Sequence, residues 1–191
     1  MSRSASPSGI LDEHAFDTLF RDCASDVHAY AISLLGDRAA AEDVTALAFE
    51  RLYRSRGRLD ARRGTPRAWL FAIARNAALD ELRRRGRQPH YALDDQRAGG
   101  LDASDARESI GASAAEEALE QAERGAAVRA ALAALPLRER ELVLLKFHGQ
   151  LSNAELARAL GISESNAGTR LHRALSRLRE GCTELDRQAL A

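Results

Sequence analysis

The sequence predicts an all-α protein made of two small helical domains joined by a flexible acidic linker, and three observations lead there. Alanine, leucine and arginine dominate a 191-residue chain in which aromatics are only 5 %, a composition that favours helices over sheets. Apolar residues recur at steps of three and four in successive stretches, the spacing of a helix with one buried face. The formal net charge of zero also conceals a strong segregation. Residues 1–49 carry 3 basic against 8 acidic side chains, residues 50–90 carry 12 against 4, residues 91–123 carry 2 against 9, and residues 124–191 carry 11 against 7. Two basic blocks therefore flank an acidic one, and it is the local charge that decides where a polyanion can sit. Lys146 is the sole lysine, so the positive charge is almost all arginine, which suits forked recognition of phosphates and guanine edges. A GC-rich coding bias produces the same skew.

The elements follow in order. Residues 1–12 read as a disordered tail. Phe16, Leu19, Phe20, Cys23, Val27, Tyr30, Ala31, Leu34 and Leu35 form the apolar stripe of a first helix that Gly36 ends. Asp37 caps a second helix, with Ala40, Val44, Leu47, Ala48 and Leu52 inward and Gly57 as its breaker. A basic loop containing Gly64 leads to Pro66, suited to the first position of a third helix. There Trp69, Leu70, Ile73, Ala74, Ala77, Ala78 and Leu82 form the buried stripe. The first domain is expected over 13–88. Residues 89–113 mix Pro89, Gly99, Gly100 and Gly111 with Asp94, Asp95, Asp102, Asp105 and Glu108, too polar to order by burial. Helical periodicity resumes at Ala114 and opens a second domain over 114–187, with a break at Pro136.

Cys23 and Cys182 stand far apart with no C-x-x-C spacing, so neither a zinc site nor a disulfide framework is expected. Met1 to Ile10 lacks an apolar signal core, and no apolar run approaches the ~20 residues of a membrane span. A reduced, cytoplasmic protein that makes no membrane contact is the expectation. Catalysis finds little support: no phosphate-binding glycine loop, no H-E-x-x-H, and His14, His28, His90, His148 and His172 scattered without ligand spacing.

The strongest functional pattern lies after Pro136. Leu137 to His148 reads as a helix ended by Gly149. Ser152 caps a short helix through Leu160, Gly161 supplies a tight turn, and Ser163 caps a longer helix whose Ala167, Leu171, Ala174, Leu175 and Leu178 face inward. That leaves Ser165, Asn166, Thr169, Arg170, His172, Arg173 and Arg177 outside. A short helix, a glycine turn and a longer basic helix make a helix-turn-helix. The major groove admits one helix, whose first half meets the base edges, so Arg170 and Arg173 are the leading groove contacts. In the first domain Arg62, Arg63, Arg75 and Arg83, Arg84 and Arg85 suit the phosphates of a single strand, and Asn76 can hydrogen-bond an exposed base edge. Trp69 can either stack on a base or belong to the core.

Ala134-Leu135-Pro136-Leu137-Arg138-Glu139-Arg140, Leu151-Ser152-Asn153-Ala154-Glu155-Leu156-Ala157, Leu160-Gly161-Ile162-Ser163 and Arg170-Leu171-His172-Arg173-Ala174-Leu175 resemble region four of an extracytoplasmic-function sigma factor. Leu34-Leu35-Gly36-Asp37, Ala41-Glu42-Asp43-Val44, Arg67-Ala68-Trp69-Leu70-Phe71 and Ile73-Ala74-Arg75-Asn76, followed by Asp80 and Arg83-Arg84-Arg85, resemble region two. The matches cover about three-quarters of the chain in the family's order. The resemblance implies a detachable subunit of bacterial core RNA polymerase, with no cofactor. Region four would read the minus-thirty-five promoter element as duplex. Region two would capture the minus-ten element as a separated strand, and the helix from Asp37 to Arg54 would dock on the polymerase clamp helices through Asp37, Glu42, Asp43, Leu47, Glu50 and Arg51. An anti-sigma factor is a further implied partner.

The sequence departs from the family pattern in two places. Ala46 and Leu47 stand where a polar and an acidic residue are usual in the clamp-docking helix. Gly168 stands where the recognition helix commonly has Lys or Arg, which removes a DNA contact and costs ~1 kcal/mol of helix stability. The alternative reading is a free-standing helix-turn-helix regulator that binds duplex without polymerase.

Overall fold

The computed structural model describes residues 11–60, 64–86 and 112–189. All regular structure among them is helical: α1 (Glu13–Leu35), α2 (Arg38–Ser55), a 3₁₀ turn (Arg56–Arg58), α3 (Pro66–Gly86), α4 (Ala112–Ala134), α5 (Leu137–Phe147), α6 (Asn153–Leu160) and α7 (Glu164–Ala189). Local chemistry sets most of the ends. The Asp12 carboxylate accepts from the Ala15 N–H, and the Asp37 carboxylate accepts from the Ala40 N–H, each satisfying an otherwise orphaned donor of the first turn. Gly36 and Gly161 close α1 and α6 in the left-handed conformation, φ 66° and 67°. Ser152 and Glu155 form a reciprocal capping box at the start of α6.

The stretch read as a tail ends earlier in the structure. Leu11 is buried and donates its N–H to the Arg56 carbonyl, and Asp12 caps α1. At the other boundaries α4 begins at Ala112 and α7 runs to Ala189. Most of the acidic linker, like Arg62 and Arg63 of the basic loop, lies outside the described residues. The end of α5 falls one residue short of the expected His148, which is its C-cap. Gly149 does not take the left-handed turn; Gln150 does, at φ 53°. Gly149 is required for space instead, because a Cβ there would lie 2.4 Å from the Leu145 carbonyl oxygen.

Helices α1, α2 and α3 form a bundle around Val27, Tyr30, Ala31, Val44, Leu52, Leu70, Phe71 and Ala74. The few aromatics concentrate here: Phe16 and Phe20 meet Phe49 and Tyr53 edge-on across α1 and α2, and Tyr30 meets Phe71 with ring centroids 5.8 Å apart. Trp69 is half-buried against the same core, with its indole N–H enclosed. In the second half α4, α5 and α6 pack on α7, with Ala131 lying against Gly181 where α4 crosses the end of α7. The two halves are not separate. Buried residues of α1 and α3 join Leu142, Val143, Leu144 and Leu145 of α5 in one continuous apolar cluster.

The two glycine turns give a first test. Gly149→Ala forces backbone against backbone, a misfit that costs on the order of 1–3 kcal/mol. Gly161→Ala meets open space and bears only the left-handed penalty of ~1 kcal/mol. Chemical denaturation should rank Gly149→Ala as the less stable variant; the reverse order would contradict the packing of the α5 turn.

Candidate nucleic-acid interface

Two helix surfaces carry the residues singled out from the sequence. The first is α7. Its apolar side, Ala167, Leu171 and Ala174, is buried against α5 and α6, and this turns Ser165, Thr169, Arg170, His172, Arg173 and Arg177 to solvent, with Asn166 half-buried. Ser163 caps the helix by accepting from the Asn166 N–H at 3.2 Å. The Thr169 hydroxyl donates back to the Ser165 carbonyl at 3.0 Å. Arg177 differs from its neighbours in being ion-paired with Glu139 of α5, which fastens α7 to its support. A Cβ at Gly168 would sit 3.6 Å from Asn153 Nδ2, an ordinary contact, so packing does not demand glycine there.

The second surface is α3. Asn76 is exposed, its side-chain oxygen accepting from Arg75 Nη1 at 3.4 Å. The arginine run beyond it is partly neutralised by its own helix. Arg83 pairs with Asp80 at 2.9 Å, Arg84 with Glu81 at 2.7 Å, and Arg85 with both Glu81 at 2.8 Å and Asp37 at 2.9 Å. The Arg84 guanidinium, helped by Arg85 and opposed by partial burial, holds the Glu81 carboxyl down at about 2. Asp37 is likewise held below the usual range, first by the Ala40 N–H and, against some desolvation, by Arg85. Asp37 and Arg85 thus lock the end of α3 to the start of α2.

On α2, Asp43, Leu47, Glu50 and Arg51 follow at helical spacing. Asp43, Glu50 and Arg51 are exposed and Leu47 half-buried. Asp43, Leu47 and Arg51 line a groove of 210 Å³ whose other wall is Asp80, Glu81 and Arg84 of α3. Glu42 is exposed and paired with Arg38, and Glu50 with Arg54. Such exposed pairs on one helix contribute little to stability, so these charges remain available to a partner.

Three residue groups at the junction of the two halves escape a reading of the sequence. Arg67, on the first turn of α3, donates from Nε to the Gly149 carbonyl at 2.8 Å, from Nη2 to the His148 carbonyl at 2.7 Å and to Asp26 at 2.5 Å, and from Nη1 to Cys23 Sγ at 3.1 Å. Glu155 accepts on Oε1 from the Thr65 N–H and hydroxyl while Oε2 serves the α6 capping box. Glu141, 3 % exposed, is ion-paired with Arg75. A sequence signal existed only for Glu141, an acid inside the apolar run of α5.

Residues 19–88 match the family model for Sigma-70 region 2, and residues 125–178 that for Sigma-70, region 4. The chain is 31 % identical over 167 residues to the ECF RNA polymerase sigma factor SigL of Mycobacterium tuberculosis, across 87 % of this chain and 88 % of that one. It belongs to the ECF sigma factor family. It is also 33 % identical over 168 residues to the ECF sigma factor SigE of Mycolicibacterium smegmatis, across 87 % of its own length but only 61 % of that longer relative. The sigma factor RpoE of Bartonella quintana, solved in complex with the anti-sigma factor NepR, shares the fold, with a TM-score of 0.62 at 22 % identity over 88 % of this chain and 96 % of that one.

Sigma factors are transcription initiation factors, and this member works in promoter-specific initiation by RNA polymerase. The region 2 match favours this over a free-standing regulator. Among the described residues no helix is long and apolar enough to cross a membrane, and no group of metal-ligating side chains gathers.

The Glu155 carboxyl gives a pH signature. Partial burial raises its pKa, but the Ser152 N–H, the Thr65 hydroxyl and their companion donors outweigh that and bring it to about 2. A carboxyl whose folded pKa is depressed stabilises the fold above its unfolded value near ~4.3. That contribution falls away as pH drops toward 2. Acid unfolding followed by circular dichroism should therefore be steeper between pH 4.5 and 2 for the wild type than for Glu155→Gln; equal slopes would refute the double role of this carboxylate.

Proposed function

We propose a division of labour between the two surfaces. Helix α7 enters the major groove of the minus-thirty-five element, with Arg170 and Arg173 on base edges and Ser165, Asn166, Thr169, His172 and Arg177 on phosphates and flanking bases. Helix α3 and the loop before it receive the melted minus-ten strand, Asn76 reading a base and Arg62, Arg63, Arg75, Arg83, Arg84 and Arg85 supplying counter-charge. The α2 surface of Glu42, Asp43, Leu47, Glu50 and Arg51, with Asp37 at its start, docks on the clamp helices of core polymerase. The chain performs no catalysis, acts in the cytoplasm, and is held in check by an anti-sigma factor, as its fold relative from Bartonella quintana is found with one. The observation that carries this reading is the one-sided exposure of α7, a basic and hydroxyl-bearing surface on a capped helix behind a left-handed glycine turn.

Run-off transcription with purified core polymerase on genomic fragments tests it: a discrete start must depend on the added protein. Arg173→Ala should weaken binding to minus-thirty-five duplex by roughly 10-fold, the value of one good base contact. Asn76→Ala should spare that binding and impair open-complex formation. Equal permanganate reactivity of the two variants at the minus-ten element would sink the assignment.

Gly168 supplies an independent check. Gly168→Ala should raise stability by ~1 kcal/mol without changing sequence preference, and Gly168→Arg should in addition tighten duplex binding and steepen its salt dependence. Unchanged affinity in Gly168→Arg would mean that this turn of α7 does not face DNA.

A further inference from the structure

The two DNA-directed surfaces are turned toward each other. Arg75 and Arg83 of α3 line the same 650 Å³ cleft as Arg138 of α5 and Arg170 of α7. Arg75, assigned above to the melted strand, is occupied by Glu141, and its side chain is only 18 % exposed. Among the described residues, residues 65–75 at the start of α3 tie the junction through Thr65 to Glu155, Arg67 to the 148–149 carbonyls, and Arg75 to Glu141.

This arrangement cannot coexist with promoter reading. Elements centred ten and thirty-five base pairs upstream of a start site lie about 25 base pairs apart, ~85 Å along a duplex at ~3.4 Å per step. Two halves in direct contact cannot touch both. The connecting residues 87–111, drawn out at ~3.4 Å each, reach a comparable ~85 Å, so the chain can span the gap once the junction opens.

We infer that the junction is a self-inhibitory latch, in which Arg67 and the Arg75–Glu141 pair hold the free chain closed and withhold Arg75 from DNA until polymerase draws the halves apart. This rests on the division of labour proposed above. The chemistry of the latch suits reversal. Burying an ion pair removes both charges from water, and that penalty offsets most of their attraction. On opening, both groups regain water, so no buried charge is left unpaired. The pair therefore sets the register of closure without making it permanent, and the Arg67 fork, aimed at two main-chain carbonyls, adds direction. Neither Arg67 nor Glu141 belongs to the surfaces assigned to DNA or polymerase.

The test uses the full chain without polymerase or promoter duplex. Small-angle scattering of the wild type should give the compact dimensions of the closed form. Glu141→Gln and Arg67→Ala should both expand the particle with unchanged helical circular dichroism, and should bind a minus-ten single-stranded oligonucleotide at least 10-fold tighter than the wild type. The exchange Arg75→Glu with Glu141→Arg, read by scattering alone, should restore compactness. An expanded wild type, or variants that stay compact and bind no tighter, would overturn the latch. Run-off transcription separates this from the function itself: loss of start-site selection by the wild type sinks the sigma-factor division of labour, whereas scattering reports closure whatever the transcription result.

Discussion

The arrangement of this protein depends on one guanidinium. Arg67 leaves the first turn of α3, takes the Asp26 carboxylate and the Cys23 sulfur from α1, and ends on the two carbonyls that α5 leaves bare at its terminus. At the same turn Gly149 has no Cβ to strike Leu145, and Gln150 takes a left-handed backbone. A forked, permanently charged donor can satisfy several separated acceptors at once, where a lysine has its three donors on a single nitrogen. Around this point the apolar surfaces of α1 and α5 come together, and the buried Glu141 can tolerate its environment because Arg75 is brought beside it.

The same economy appears within each half. Arginines that look from their spacing like a plain solvated strip are divided among tasks: Arg85 pins α3 to α2 through Asp37, Arg177 braces α7 on α5 through Glu139, and Arg170 and Arg173 stay exposed. Positive charge is thereby placed, and only part of it is left outward for a polyanion.

What the sequence revealed and what it hid follow from the range of the interactions. Helix ends were legible at Asp37, Pro66, Ser152 and Gly161 because caps, ring constraints and left-handed turns act within four residues. The helix-turn-helix was legible for the same reason, its inward and outward sides following from a single period. The junction was not. Arg67 and Gly149, or Thr65 and Glu155, lie more than eighty positions apart, and nothing in the local pattern distinguishes these arginine and glutamate side chains from solvated ones. The end of α5 was placed one residue late, and the reason for Gly149 was not legible: it answers a steric demand from Leu145 and leaves the unusual φ to its neighbour.

Glu155 divides its two oxygens between different loyalties, one facing Thr65 across the junction and the other closing the capping box of its own helix. Parting the halves exchanges the first for water and leaves the second untouched. The short helix that supports α7 does not have to refold when the protein unclasps, so the reading head is delivered to its site already assembled.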